Sequence, residues 1–282
     1  MPSRSASAYQ IDREPADLEY QASALATLND RQFATTLSKG LEILRCFTPV
    51  KPVLGNSELA DHTGLSRPTI SRFTYTLTKL GYLRTDVDTG KYRLGPAVIS
   101  LGYPLLASIT LRQIARPLMN EVAKTMRASV SMGIRDRLSI VYVETSRAES
   151  PWAAQLTDIG LRYPIASTAM GHAYVAGCEP AAREALLNEI RVHTPAVWER
   201  HAPRLKQAQE EFAAKGFCSS YGDQHPDYLA VGVPMGRMVD GELIVFNCVA
   251  QAHVVSRSSI ETTLGPKLVA MVEQLRQATR IA

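Results

Sequence analysis

LADHTGLSRPTISRFTYTLTKLGYL, residues 59–83, is the stretch on which the reading of this chain turns. Its spacing predicts two helices around a glycine. Asn56 and Ser57, just upstream, are N-cap residue types for the first, and Leu59 and Ala60 begin its apolar face. Gly64 suits a left-handed C-cap, which glycine adopts without a Cβ clash. Ser66 is placed to cap the second helix, with Pro68 tolerated in its first turn. Ile70, Phe73, Leu77 and Leu80 step by three, four and three, so they predict one buried stripe. The opposite face carries Arg67, Thr69, Ser71, Arg72, Tyr75, Thr76 and Lys79, all cations and hydrogen-bonding groups without a carboxylate. Such a face suits a major groove, where Arg reads guanine and hydroxyls meet bases or phosphates. Ala60, Gly64 and Ile70 also fall where a helix–turn–helix needs a small contact residue, a turn and a branched core residue. Core helix pairs in other folds produce the same triple.

The flanking sequence separates those readings. LRTD (83–86), the turn residues Asp88, Thr89 and Gly90, and KYRLG (91–95) predict a β-hairpin directly after the second helix. A hairpin there is a wing. Lys91 and Arg93 alternate with Tyr92 and Leu94, so both cations are expected on one solvent face, near phosphates. Upstream, Leu37, Leu41, Leu44 and Phe47 predict a helix that Pro49 and Pro52 end. Three helices and a wing make a winged helix–turn–helix. DNA-reading candidates are Arg67, Thr69, Ser71 and Arg72 on the helix, and Lys91 and Arg93 on the wing. The alternative is a small-molecule-binding adaptor whose winged helix meets protein instead of DNA.

Charge supports this only weakly. The 282 residues carry a net +4, and residues 33–95 hold nine Lys/Arg against five Asp/Glu. The four cysteines, Cys46, Cys178, Cys218 and Cys248, form no CxxC pair, so neither a zinc site nor a redox motif is expected. No nucleophile elbow, HExxH or phosphate-binding loop occurs. Thiol–imidazole pairings such as Cys178 with His172, or Cys218 with His225, lack a third orienting group. We therefore expect no enzyme, no catalytic residue, no metal and no cofactor. The longest apolar stretch, residues 98–109, is broken by Gly102 and Pro104 and is too short to span a bilayer, so no membrane association is expected.

TTLSKGLEILRCF (35–47), SELADHTGLSRPTISRFTYTLTKLGYLRTD (57–86) and GKYRLGPAVISLG (90–102) together resemble the IclR family of bacterial transcriptional regulators. YPIASTAMGHAYVA (163–176) continues the likeness, which covers about residues 34–280. The resemblance implies an α+β protein: an N-terminal winged helix–turn–helix joined by a linker helix to a GAF-like α/β effector-binding domain. The expected division is a flexible arm over 1–32, a DNA-binding domain over 33–95, a linker helix region over 96–127, and an effector-binding and oligomerisation domain over 128–282. The expected partners are a palindromic double-stranded DNA operator, a small-molecule effector, and further copies in a homodimer or homotetramer. The expected location is the cytoplasm, on the nucleoid.

Beyond the wing, residues 96–106 read as an apolar connection interrupted by Gly102 and Pro104. Leu111 to Met126 then form one helix face, bent or restarted near Pro117. SVSMGI (129–134) and LSIVYV (138–143) predict a hairpin; YLAVGVPM (228–235) and ELIVFNCVA (242–250) predict two more strands around Asp240–Gly241. Helices are expected over 168–177, 180–191, 203–215 and 258–280. The resemblance implies that the turn at Ser167, Thr168, Ala169 and Met170 offers backbone N–H groups to a polar ligand, as helix starts do. It also places Ser220, or Cys218, and Tyr228 near the pocket, and puts Asn247 where relatives often carry serine. His172 stands where the family usually has lysine, which makes an uncharged or aromatic effector as admissible as a small carboxylate. Trp152 and Tyr142 are further aromatic candidates.

Overall fold

The capping and stripe signals between Thr35 and Leu94 build the first of two units. The computed structural model describes residues 32–148, 158–237 and 241–279. All of the arm expected over 1–32 except Gln32, together with Trp152 and Asp240, lies outside them. The chain divides between Ile109 and Thr110. The first unit orders α1 (Thr35–Arg45), α2 (Asn56–Thr63), α3 (Arg67–Lys79), β1 (Leu83–Thr85), β2 (Tyr92–Leu94) and α4 (Ala97–Ser108). Ile43, Leu54, Leu59, Ile70 and Leu83 are almost wholly buried in one cluster. At about 2 kcal/mol for each such side chain removed from water, this cluster is what holds the unit together. The wing pairs antiparallel, and Leu54 exchanges both backbone hydrogen bonds with Tyr92, which ties the wing to the α1–α2 loop.

Three local readings need correction here. The N-cap of α2 is Gly55; Asn56 is already helical, and Glu58 reaches back to accept the Gly55 N–H at 2.8 Å. Leu80 is 61% exposed, because α3 ends there, and Thr74 takes the expected place in the stripe. A buried threonine is tolerated because its hydroxyl donates to the Ile70 carbonyl at 3.0 Å. Residues 96–106, read as an interrupted apolar connection, fall almost entirely within α4, which forms despite Gly102 and Pro104. Gly64 and Ser66 perform as expected: Gly64 has φ +68, and Ser66 accepts the Thr69 N–H.

The second unit starts with α5 (Leu111–Met126). Pro117 lies inside it, and the helix neither stops nor restarts there. Ala115, Met119, Val122 and Ala123 are buried along its length, and this packing outweighs the one hydrogen bond proline removes. Next come β3 (Ser129–Asp136), β4 (Ser139–Arg147), β5 (Arg162–Pro164), α6 (Ala169–Gly177), α7 (Pro180–His193) and α8 (Pro195–Lys215). Then follow β6 (Cys218–Ser220), β7 (Tyr228–Arg237), β8 (Leu243–Gln251), a short helical turn at Arg257–Ser259, a π-turn at Ile260–Leu264 and α9 (Gly265–Thr279). The strands form one antiparallel sheet in the order β5-β4-β3-β8-β7-β6. Pro203, expected to open a helix, lies within α8, which Pro195 opens eight residues earlier.

Helices cover both faces of this sheet. The start of α6 presses on two glycines: a Cβ on Gly133 would meet the Met170 sulfur at 2.9 Å, and one on Gly232 would meet the Ala169 carbonyl at 2.3 Å. Helix α5 packs on the other face of β3 and β4, and α9 packs on β7 and β8 beside it. Ile260, Leu264, Leu268, Met271 and Leu275, spaced along the stretch expected to be helical over 258–280, are all buried. The β3–β4 register steps from Met132↔Glu144 to Gly133↔Tyr142, leaving Val143 as the extra residue of a β-bulge. Neighbouring residues on β3 point to opposite faces. The bulge therefore puts Tyr142 on the α6 face and Glu144 on the α5 face, although they are only two residues apart.

Candidate nucleic-acid interface and effector pocket

On α3 the residues outside the stripe face solvent. Arg67, Ser71, Arg72, Tyr75 and Lys79 are exposed and Thr69 is half-buried. Arg67 and Arg72 pair with no carboxylate among the described residues, so their full donor sets face outward. Lys79 lies 5.5 Å from the Tyr75 ring centre. The hydroxyls are less free. Ser71 accepts from the Asn56 amide at 3.1 Å, which braces α3 against α2, and Thr69 shares a hydrogen bond with the cap Ser66 at 2.8 Å. Ser71, Arg72, Tyr75 and Thr76 line a shallow surface groove.

The wing cations are committed within the protein. Lys91 lies 2.9 Å from Glu58 of α2, and Arg93 bonds to Asp86 at the hairpin turn. The Gly55 N–H and then Lys91 hold the Glu58 carboxyl below its ordinary range. The Thr89 hydroxyl and N–H, followed by Arg93, do the same for Asp86. Both carboxylates are therefore charged at neutral pH and compete with any phosphate for these cations. Arg84 stands directly across the hairpin from Arg93, exposed and without a carboxylate partner among the described residues. Arg84 is not among the expected wing cations, although alternation along LRTD places it on the face of Arg93.

In the second unit a cavity of about 70 Å³ opens at the start of α6. It brings together Thr168, Ala169, Ser220, Tyr228 and Asn247, all expected from the resemblance. Cross-strand rows explain the convergence: Ser220, Ala230 and Val249 stand side by side on β6, β7 and β8, and Asn247 is one row along on the same face, opposite Gly232. Met170 is wholly buried against Gly133 and does not stand among the lining residues. The lining also includes Tyr142, Tyr163, Gln224 and His225. Tyr142 and Tyr163 are 4.8 Å apart between ring centres, and His225 and Tyr228 5.1 Å, so two aromatic pairs contribute to the wall. Among the described residues no Lys, Arg, Asp or Glu lines the cavity. Asn247 Nδ2 donates to the Tyr142 hydroxyl at 2.7 Å. Burial, then the neighbouring Tyr163, pushes the Tyr142 phenol well above its ordinary range, so it stays protonated.

Three further groups are defined by burial. His172 is fully buried and bonds through Nε2 to the Ala166 carbonyl at 2.9 Å. Burial lowers its pKa to about 4, so at neutral pH it contributes no charge. On the far face of the sheet, Glu144 receives Arg116 at 2.7 Å and Arg112 at 3.2 Å, fastening the first half of α5 to β4. Burial pushes the Cys218 and Cys248 thiols up to about 12, which leaves them protonated and unreactive.

Comparison with known proteins gives a match in each unit. Residues 36–87 match the IclR helix-turn-helix domain, and residues 104–277 match the bacterial transcriptional regulator IclR C-terminal domain. The chain belongs to the IclR family of transcriptional regulators. It is 34% identical over 250 residues to the HTH-type transcriptional regulator TsaQ1/TsaQ2 of Comamonas testosteroni, covering 88% of this chain and 89% of that protein. It is 25% identical to the Pca regulon regulatory protein of Pseudomonas putida, over 89% and 86% of the two chains. An IclR family regulator from Brucella abortus has the same fold, with a TM-score of 0.78 and 39% identity over 88% of this chain and 94% of that one. These relatives are regulators, not enzymes. Among the described residues no single helix is long and apolar enough to cross a membrane.

Proposed function

We propose that this chain is a ligand-responsive regulator that binds a two-fold symmetric DNA operator as a dimer or tetramer, in the cytoplasm on the nucleoid. In this reading α3 enters the major groove, with Arg67 and Arg72 reading bases and Thr69 and Ser71 steadying phosphates. Lys91 and Arg93, together with Arg84, form a wing that approaches the backbone. The observation that carries the reading is the outward row of α3, where two arginines without carboxylate partners stand immediately before a cationic hairpin. Self-association is supported by α4, which buries none of its residues in this chain and exposes Ile99, Leu101, Tyr103 and Leu105. An apolar helix face of that kind marks an interaction surface. The proposed effector is an aromatic acid or small carboxylate held in the α6 cavity, its anionic end at the first amides of the helix. It biases the DNA-binding state by as much as its affinity differs between the two states.

The test is selection of binding sites from random duplexes with the full chain. The expected product is a motif of two inverted half-sites about one DNA turn, or a multiple, apart. Recovery of unrelated sequences with no common motif would overturn the proposal and favour the protein-binding adaptor.

A further inference from the structure

We infer that the inner end of the α6 cavity recognises an uncharged hydroxyl group, so that the effector is a hydroxylated ring compound. The inference rests on the effector reading above and narrows it. Asn247 is 3% exposed and lines the cavity, yet its Oδ1 has no partner among the described residues. Its Nδ2 is used on Tyr142. The Tyr142 oxygen accepts that bond, and the phenol hydrogen meets no other acceptor among the described residues. The two side chains therefore present an unpaired acceptor beside the phenol donor. Turning the amide over keeps the count: the phenol would then donate to Oδ1, leaving an amide N–H to donate and the phenol oxygen to accept.

A hydroxyl satisfies such a pair, because it donates and accepts at one atom. A carboxylate only accepts, and would set a negative oxygen against the unpaired acceptor. An ether accepts but donates nothing. A bare ring displaces whatever water reaches Oδ1 without replacing its hydrogen bonds, which loses affinity. Aromatic walls on two sides, and a lining without charged residues among those described, fit a flat, weakly polar body behind the hydroxyl. Size adds a constraint. The cavity's 70 Å³ is about half of the roughly 150 Å³ that accommodates benzene. A ring therefore requires the wall at exposed Gln224 and half-buried His225 to yield, while Asn247 and Tyr142, set on strands, stay fixed.

Calorimetric titration of the full chain with para- and meta-hydroxybenzoate, benzoate and the matching methoxybenzoates tests this. One hydroxybenzoate is expected to bind ten- to a hundredfold more tightly than benzoate and its methoxy counterpart, the range that follows from leaving one buried acceptor unpaired. Asn247→Leu should bring the hydroxyl and bare rings within about threefold of each other. Tyr142→Phe, which keeps the ring and removes only the donor, should lose part of the preference if the leucine variant fails to fold. Equal binding of benzoate and both hydroxybenzoates by the unaltered chain would overturn the hydroxyl inference and leave the effector pocket standing. No binding of any ring acid by a folded, DNA-binding chain would overturn the inference together with the aromatic reading of the effector, leaving a small carboxylate.

Discussion

Replacing Glu144 with alanine removes the carboxylate on which the first half of α5 is fastened. The Glu144 side chain is 4% exposed, Arg112 is 14% exposed and Arg116 is 53% exposed. The two arginines are therefore not equivalent. Arg116 returns to solvent at little cost, and its share of the loss is that of a surface pair, under about 1 kcal/mol. Arg112 loses its Glu144 pairing while largely buried, and breaking a buried pair costs about 3–5 kcal/mol in other proteins. The Thr145 N–H also loses Glu144 Oε1, its acceptor at 3.3 Å. A loss of about 3 kcal/mol is expected, or roughly 6–12 °C in the melting temperature of a unit this size. Glu144→Gln keeps the shape and an acceptor, and should lose about half as much. Scanning calorimetry of the full chain, with Arg112→Ala and the double variant closing the cycle, measures it. Because the Val143 bulge sets Tyr142 and Glu144 on opposite faces of one strand, Glu144→Gln should also bind effector normally. A change under 0.5 kcal/mol in Glu144→Ala would refute the view that this ion cluster anchors α5.

Three more outcomes follow from the same geometry. Arg72→Ala should cost about 1–3 kcal/mol of operator binding and do so unequally across operator variants, which competition between single-base variants reads directly. Arg84→Ala should weaken all sequences alike and reduce the slope of log K against log salt by about 0.9, whereas Lys91→Ala, already held by Glu58, should change it less. His172 is neutral when folded, with a pKa of about 4 against 6.5 unfolded, so the unfolded chain binds more protons as pH falls below 6.5. Its contribution to stability is present above pH 6.5 and lost as pH drops towards 4. Denaturation at pH 7.5 and 5.5 should therefore show His172→Gln losing about 1–1.5 kcal/mol less than the unaltered chain between the two.

Legibility in the sequence followed the reach of each interaction. The helix–turn–helix could be read because its signals are local: Gly64 and Ser66 act within one turn, and Ile70 and Leu77 lie on one helix. The limits were local too. Gly102 and Pro104 argue against a helix by propensity, yet α4 forms. Leu80 fits the periodicity but falls where α3 ends, and Thr74 takes its place. Strands β5 and β6, three residues each at the two edges of the sheet, are too short to show alternation. The pocket was half legible. Thr168 and Ala169 are marked by a cap and a helix start, and Asn247 by an amide in an apolar strand. Tyr163, Gln224 and His225 carry no such mark, because only sheet order and register bring them beside Asn247. The Val143 bulge, on which the two-sided use of β4 depends, leaves no trace in the alternation of LSIVYV.

The most direct test of the central claim is footprinting of the full chain on the DNA flanking its own gene, repeated at stepped salt and with a ring acid that calorimetry shows to bind. The account predicts two protected half-sites related by a dyad, affinity that falls steeply and linearly in log salt, and a change in protection when the ring acid is added. Protection that ignores both salt and the ring acid, or no protection at all by a folded chain, would contradict it.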